Sequence, residues 1–314
     1  MKKIFILLSS LLVSMMFMVA GCNGNQNATN DTSNSVAATG ELQIKMLNIG
    51  QGDALLIRTE SQTILIDTGD DKYYEDGKKG QVNNQLFEAL AKENVKTIDK
   101  LILTHAHADH IGKAPNIVAK YNVKEVIYNG IPSKNKYLLD TIKNAKAKNI
   151  TVTKVKEGDK LDFGGGATFT VLSPSADLVA KDTKSFQNNG KMDANDESVV
   201  GRLTYGSFSM LFTGDAESPI EKDLVAKYGN QLKSTVLKSG HHGSKTSSSK
   251  GFVKAVQPEA VLISLGAKNQ YGHPHQVTLD TYQSQGIKNV LRTDLAGTIT
   301  LISNGKDYTI KTEK

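Results

Sequence analysis

The seven histidines of this 314-residue chain are confined to three short segments. Three of them stand beside an aspartate in THAHADH, Thr104 to His110, and two more are His241 and His242 in SGHHGS. The last two are His273 and His275 in YGHPH. Imidazole nitrogens and carboxylate oxygens are ligands of zinc and similar divalent ions. The distribution therefore predicts a metal site that is assembled from distant parts of the chain.

The spacing within THAHADH supports this interpretation. His105 and His107 follow the apolar segment 100–103, which predicts a strand, and residues two apart on an extended chain point the same way. If the chain then bends into a helix, Asp109 and His110 face the same cavity and form a second half-site. A single histidine is often a surface or hydrogen-bonded core residue, but that alternative fits this cluster poorly.

The other candidate ligands also follow predicted strands. Asp215 comes after an apolar segment, and the two remaining histidine pairs come after the segments that end at Leu237 and Leu265. Taken alone, Asp215 could equally cap a helix. His273 could instead hold the YGHP turn, and His275 could simply begin the following helix. Four strand ends with candidate ligands favour one shared site.

Short apolar runs alternate with longer amphipathic ones, which predicts an α/β (α+β) domain of two similar halves. Strands are predicted at 42–49, 54–58, 63–66, 100–103, 125–128, 151–155, 168–172, 199–205, 209–212, 235–237, 260–265, 289–292 and 298–302. Helices are predicted at 82–94, 115–121, 135–148, 220–228, 250–256 and 276–285. FGGG (163–166) favours a hairpin turn over a phosphate loop, and the polar segment 173–196 predicts a loop.

The N-terminus has the pattern of a secreted protein. Lys2 and Lys3 precede an uncharged run, and Val-Ala-Gly-Cys ends at Cys22, the one cysteine of the chain. This predicts a signal peptide at 1–21 and lipidation of Cys22, because the segment resembles a bacterial lipobox; a plain signal peptide is the alternative. We expect a flexible tether at 22–40, a hydrolase domain at 41–314, and a location on the outer face of the bacterial cytoplasmic membrane.

The charge is compatible with a polyanionic substrate but argues only weakly for one. The net charge is +6, and it becomes +4 without the two lysines of the signal peptide. Segment 124–160 contains nine lysines and four acidic residues, which suits a nucleic acid or equally a solvated helix face. A domain without cysteine excludes cysteine catalysis and cysteine metal ligands.

Four motifs resemble, in order and spacing, those of the metallo-β-lactamase superfamily: LIDTG (65–69), THAHADH, TGDAE and HHGS. Further segments are similar to the hydrolase domain of ComEC-type DNA-uptake proteins, and also to the pneumococcal phosphorylcholine esterase. These segments are LNIGQGDALLI, SLG with NQYGHPH, and RTDLAGTI. The resemblance implies a four-layer αββα sandwich in a single domain, with two divalent ions, Zn²⁺ or Mn²⁺, at one edge.

The resemblance also implies a ligand set. His105 and His107 would bind the first ion, and Asp109 with His110 the second. Asp215 would bridge the two ions, His242 would complete the second site, and Asp67 would orient the ligands. The superfamily's third histidine of the first site is missing, and Asn195 or a water is expected in its place. Such an oxygen-richer site would accept Mn²⁺ more readily.

The implied activity is a lipid-anchored, extracytoplasmic phosphodiesterase or nuclease. Its partners would be DNA, RNA or a teichoic-acid-like polymer and, if it serves competence, other components of DNA uptake. A water held between the ions would attack phosphorus, and His241, His273 and Asp109 are the candidate catalytic residues. Two alternatives are a lactone or β-lactam hydrolase on the same fold and a non-catalytic accessory protein of DNA uptake.

Overall fold

The computed structural model describes residues 38–73 and 78–314, which belong to one compact unit. The predicted signal peptide (1–21), the lipidation site Cys22 and the tether up to residue 37 lie outside the described residues. Within those residues, none of the helices has the length and apolar character that a membrane span requires.

Two sheets form the centre of the fold, and the first has eight strands in the order β15-β14-β1-β2-β3-β4-β5-β6. Its strands are β1 (Leu42–Met46), β2 (Leu55–Arg58), β3 (Thr63–Ile66), β4 (Thr97–Leu103), β5 (Asn122–Tyr128), β6 (Thr151–Lys154), β14 (Ile299–Ser303) and β15 (Tyr308–Thr312). Strands β3 to β6 run parallel to one another, and the other pairings are antiparallel.

The second sheet has seven strands in the order β13-β12-β11-β10-β9-β8-β7. These are β7 (Lys160–Gly164), β8 (Ala167–Ser173), β9 (Val200–Tyr205), β10 (Phe208–Phe212), β11 (Val236–Lys238), β12 (Ala260–Ile263) and β13 (Asn289–Arg292). Strands β10 to β13 are parallel, so the carboxyl ends of β10, β11 and β12 meet at one edge.

Helices cover the outer face of each sheet. They are α1 (Gln85–Lys92), α2 (Ala108–Ile111), α3 (Ala114–Lys120), α4 (Lys136–Ala147), α5 (Ala176–Gln187), α6 (Ser218–Tyr228), α7 (Lys250–Val256), α8 (Gln276–Ser284) and α9 (Thr293–Ala296). Two short 3₁₀ segments are also present: Gly229–Leu232 follows α6, and Gly240–Gly243 follows β11.

The alternation of side chains along the strands produces the four layers. Ile102 of β4 packs between the two sheets with Phe169 and Phe212. Leu101, its neighbour in β4, points the opposite way and packs under the helices of the first sheet. A third apolar cluster lies between the second sheet and α6, α7 and α8. The predicted αββα sandwich is therefore confirmed.

The loop predicted at 173–196 is wrong in its central part, which forms α5. Ser175 caps this helix by accepting a hydrogen bond from the Leu178 N–H at 3.1 Å. Its exposed face is polar, which concealed the helical pattern.

The FGGG hairpin turn is confirmed, because β7 pairs with β8 around it. Strands β7 and β15 were absent from the prediction, since both are only partly buried.

Candidate metal centre

The predicted site residues converge where strands of both sheets end. Asp67 follows β3, and the THAHADH segment follows β4 in the first sheet. Asp215 follows β10, and the HHGS pair follows β11 in the second. The seam between the two sheets thus collects side chains that lie far apart in sequence.

One group of four ligand-type side chains has its donor atoms within 4.8 Å of one another: Asp109, His110, Asp215 and His242. His110 Nε2 lies 3.1 Å from Asp215 Oδ2. His242 Nε2 lies 3.3 Å from Asp109 Oδ2 and 3.4 Å from Asp215 Oδ2. The structure brings together all four residues predicted for the second ion, with Asp215 at their centre.

The second nitrogen of each of these imidazoles is fixed by a neighbour. His110 Nδ1 donates to Asp67 Oδ2 at 2.7 Å, and His242 Nδ1 donates to the Ser264 carbonyl at 2.8 Å. In the neutral form of each ring these bonds leave the lone pair on Nε2. Within the described part of the chain, neither Nε2 atom has a hydrogen-bond partner. Both nitrogens are therefore available to a cation.

The charges of this group are strongly coupled. Burial would raise the pKa of Asp215, but His110 and His242 hold it well below its usual range. Burial would lower the pKa of His110, but the carboxylates of Asp215 and Asp67 hold it well above. Asp215 is thus ionised at neutral pH, and a metal ion must displace a proton from His110.

The pair predicted for the first ion is less complete. His105 Nε2 lies 3.1 Å from His107 Nδ1, so two ring nitrogens face each other. Thr104 Oγ1 donates to Asp67 at 2.7 Å and lies 3.2 Å from His105 Nδ1, which places the His105 proton on Nδ1. Among the described residues, neither histidine joins a group of three or more converging ligands.

Asn195 lies in the wall of the same cleft, as predicted for the position of the missing histidine. Its Nδ2 donates to Glu217 Oε1 at 3.3 Å. Its Oδ1 is buried and has no hydrogen-bond partner among the described residues. An unpaired buried amide oxygen on a residue that lines the same cleft as His107 suits a weak oxygen ligand, although its role as a ligand stays a prediction.

The cleft has a volume of about 310 Å³, and both His241 and His273 line it. His241 Nδ1 lies 3.0 Å from Glu217 Oε1, and its Nε2 lies 3.8 Å from Asp215 Oδ2. Burial, reinforced by His242 and His241, lowers the pKa of His273 to about 3. Neutral His273 is therefore the form present at pH 7. His275 begins α8, and its Nδ1 accepts the Lys245 N–H at 3.0 Å, away from the ligand group.

Two charged groups behind the centre were not predicted. Asp53 is fully buried, and its Oδ2 lies 2.7 Å from Lys238 Nζ, which is also buried. Asp53, Asp67 and His110 converge as a second ligand-type group, but the Lys238 ammonium already neutralises Asp53. The signal in the sequence is a lysine that ends an apolar strand and an aspartate directly after the Gly-Gln-Gly segment 50–52.

The backbone at the centre adopts conformations that most residues avoid. Asp67, His241 and His242 have φ of 60°, 46° and 52°, in the left-handed region. Such residues cost on the order of 1–3 kcal/mol each and cluster at functional sites. Gly52 has a φ of 124°, and a Cβ there would lie 2.2 Å from the Asp109 carbonyl oxygen. The glycine permits the close approach that fixes the Asp109 loop.

The residues present fit a divalent metal centre. Two imidazole nitrogens and Asp215 Oδ1 are buried without hydrogen-bond partners in the described residues, and ionised carboxylates stand beside them. Buried polar atoms of this kind are costly unless a ligand satisfies them. The donor set of nitrogen and oxygen suits Zn²⁺ and Mn²⁺ alike.

Comparison with known proteins identifies the family. Residues 47–181 match the metallo-beta-lactamase superfamily. ComE operon protein 3 of Bacillus subtilis (strain 168) is 36% identical over 270 residues, 82% of this chain and 33% of that protein. Competence protein ComA of Neisseria gonorrhoeae is 32% identical over 267 residues, 82% of this chain and 32% of that protein. The chain spans about a third of the length of these curated relatives.

A solved structure agrees at the level of the fold. CmlA, a diiron beta-hydroxylase from Streptomyces venezuelae, superposes with a TM-score of 0.54 and 16% sequence identity, covering 84% of this chain and 54% of that one. A hydroxylase with this fold illustrates that the fold alone does not fix the reaction. The resemblance predicted from the motifs is confirmed: the chain contains a metallo-β-lactamase domain and adopts the four-layer fold of that superfamily.

Proposed function

We propose that this chain is a metal-dependent hydrolase that cleaves phosphodiesters. The observation that carries the proposal is the group Asp109, His110, Asp215 and His242, whose donor atoms converge within 4.8 Å at the floor of an open cleft. Two divalent ions bound there would polarise a phosphate oxygen and lower the pKa of a coordinated water. The protein's contribution is to hold its ligands in place before substrate arrives.

His241 is the residue best placed to assist departure of the leaving group. Its Nδ1 is held by Glu217 at 3.0 Å, and Thr246 Oγ1 lies 3.2 Å from the same nitrogen. Nε2 therefore faces the cleft, where it can donate a proton to the departing alkoxide. Glu217 also accepts from Thr246 at 2.9 Å, so the carboxylate that orients His241 is itself fixed.

His273 has a different role in this proposal. Because burial lowers the pKa of His273 to about 3, it is neutral at pH 7 and is a poor proton donor. Its ring stacks beside His242, with centroids 6.3 Å apart and an interplanar angle of 29°. We assign it to positioning of the substrate beside the ligands.

The substrate would be DNA, RNA or a phosphodiester of a surface polymer. The relatives named for competence support a nucleic acid, although each is about three times as long as the matched segment. We further propose that lipidated Cys22 anchors the domain outside the cytoplasmic membrane, as the lipobox indicates. Metabolic labelling with a radioactive fatty acid in wild type and C22S tests that anchor, and label retained on C22S contradicts it.

Hydrolysis of bis-p-nitrophenyl phosphate by the metal-loaded protein tests the activity. We expect turnover with Zn²⁺ or Mn²⁺ that chelation abolishes. Asp109→Ala should reduce kcat/KM by more than about 100-fold, because loss of an outer partner alone costs about 10- to 100-fold. Asp140→Ala on α4, whose partner is the exposed Lys136, is the matched control and should leave the rate unchanged.

Two outcomes would contradict the proposal. A protein that binds metal but turns over no phosphodiester would favour an accessory role in DNA uptake. Hydrolysis of lactones or β-lactams in preference to phosphodiesters would favour that chemistry instead. If phosphodiesters are cleaved, linear DNA, RNA and phosphocholine esters compared side by side would identify the substrate class.

A further inference from the structure

An exposed tyrosine stands at the mouth of the cleft. Tyr271 lines the cleft, and 45% of its surface is exposed. Its ring lies 5.6 Å from the His273 ring at an interplanar angle of 25°. The His273 ring is in turn nearly parallel to that of His242. Tyr271 thus belongs to a row of rings that includes a candidate metal ligand.

The loop that carries Tyr271 is held by its own hydrogen bonds. Asn269 Nδ2 donates to the carbonyls of Gly266 and His273, at 3.0 and 2.8 Å. Asn269 Oδ1 accepts the N–H groups of Tyr271 and His273, at 3.2 and 3.0 Å. Gln51 Oε1 accepts the Gly266 N–H at 3.2 Å, which ties the loop to the β1–β2 turn. The aromatic ring is therefore presented on an ordered loop, at little entropic cost to binding.

The surroundings of this ring suit a nucleobase. Base–aromatic stacking requires a flat exposed ring and a neighbouring cationic surface for the backbone. Exposed Lys268 lies on the same loop, and Lys79 Nζ donates to Gln270 Oε1 at 3.0 Å, one residue from Tyr271.

We propose that Tyr271, backed by His273, forms a nucleobase subsite that stacks the base next to the scissile phosphate. This inference rests on the proposed phosphodiesterase function and narrows its substrate to nucleic acids with an unpaired base at that position. The subsite recognises the flat face of the base, so all four bases are accepted.

The experiment compares a thymidine dinucleotide with two analogues in which one base, on the 5′ or the 3′ side, is replaced by hydrogen. Wild type, Tyr271→Ala and Tyr271→Phe are assayed with each. We expect removal of one of the two bases to reduce wild-type kcat/KM on the order of tenfold, mainly through KM. Tyr271→Phe should behave like wild type. For Tyr271→Ala, kcat/KM with the full dinucleotide should fall by a similar factor. Removal of that base should then cause no further change in the kcat/KM of this variant.

Leu139→Ala, which removes another exposed apolar side chain from α4, is the surface control and should match wild type. Equal costs of base removal in wild type and Tyr271→Ala would overturn the subsite. The subsite would also be overturned if Tyr271→Ala lowered kcat/KM only with glycerophosphocholine, assayed as a further substrate. Failure of wild type to cleave any of the three phosphodiesters or bis-p-nitrophenyl phosphate would instead contradict the proposed function itself.

Discussion

Each imidazole of the centre has one nitrogen engaged by the protein and the other directed into the cavity. The engaged nitrogen of His242 donates to the Ser264 carbonyl and lies 3.5 Å from the Asp53 carboxylate, whereas those of His110 and His241 face carboxylates directly. A carboxylate partner raises the basicity of the opposite nitrogen, which strengthens a ligand and also favours a charged imidazolium. At the scale of single residues, the partner of Nδ1 therefore does not by itself distinguish a metal ligand from a proton donor. The position of the histidine relative to the other ligands is needed as well.

Glu217→Gln tests the role of the His241 partner. The amide keeps an oxygen that can accept from His241 and Thr246, but it removes the negative charge that lies beside the His241 ring. We expect kcat to fall about 100-fold for a dinucleotide, whose leaving alkoxide needs a proton. For bis-p-nitrophenyl phosphate, whose leaving group departs without a proton, the rate should stay within about threefold. Steady-state kinetics with both substrates measures the difference.

Comparison of the two substrates also controls for a general loss of site structure in Glu217→Gln. A variant whose site had merely lost its shape would be slower with both substrates by similar factors. That result, or reduced metal content in the purified variant, would mean that Glu217 supports the site only structurally. His241→Ala should reproduce the selectivity of Glu217→Gln if the two residues act as a pair.

At the scale of elements, the β1–β2 turn connects the two sheets beneath the ligands. The Asp53 N–H donates to the Asp109 carbonyl at 3.0 Å, and the Asp53 carbonyl accepts the Gly69 N–H at 2.8 Å. Its carboxylate reaches Lys238 at the end of β11, in the other sheet. One turn thus fixes the Asp109 loop and joins it to the strand that leads to His242.

Breaking this buried pair should destabilise the protein strongly. Asp53→Asn leaves the buried Lys238 ammonium without its carboxylate, which costs about 3–5 kcal/mol. Lys238→Met leaves the carboxylate buried without its cation and should cost a similar amount. The double variant should lose less than the sum, by about 0.5–3 kcal/mol. Urea unfolding of the chelated protein measures all three, and strict additivity would contradict a direct coupling.

The same pair predicts how stability depends on acid. Burial would raise the pKa of Asp53, but Lys238 and His242 lower it from 3.8 to about 2. A carboxylate with a lowered pKa stabilises the folded state fully above its unfolded value, and this stabilisation is lost as pH falls through about 2. Between pH 4 and 2, the chelated wild type should therefore lose more stability than Asp53→Asn. Equal losses in urea titrations across this range would contradict the assignment.

The helices and strands that could be predicted from the sequence are those with regularly spaced apolar residues. The ligands that could be predicted are those whose residue types or positions stand out in the sequence. THAHADH and the HHGS pair were found because histidine is rare in this chain, and Asp215 because it follows an apolar strand. Asp53, Lys238 and Glu217 were missed because acidic residues and lysine are common; burial distinguishes Asp53 and Lys238, and the contact with His241 distinguishes Glu217. α5 was missed because its apolar residues are few, and its contacts to the rest of the fold depend on tertiary packing.

At the scale of the whole molecule, the candidate ligands are divided between the two sheets. His105, His107, Asp109 and His110 follow β4 of the first sheet. Asp215 and His242 follow β10 and β11 of the second sheet. An ion held by Asp109, His110, Asp215 and His242 would therefore join the two halves of the sandwich, so metal binding and folding should be coupled.

Metal should accordingly raise the thermal stability of the protein. A ligand that binds only the folded state contributes about 2.7 kcal/mol at a free concentration of 100 times its Kd. For a domain of this size, each kcal/mol shifts Tm by roughly 2–4 °C, so Zn²⁺ or Mn²⁺ should raise Tm by about 5–10 °C above the chelated protein in calorimetry. Asp215→Asn, which alters the carboxylate shared by both halves, should abolish most of this shift, whereas Asp140→Ala should keep it. A shift that survives in Asp215→Asn would mean that the stabilising ion binds elsewhere and does not join the two halves of the sandwich.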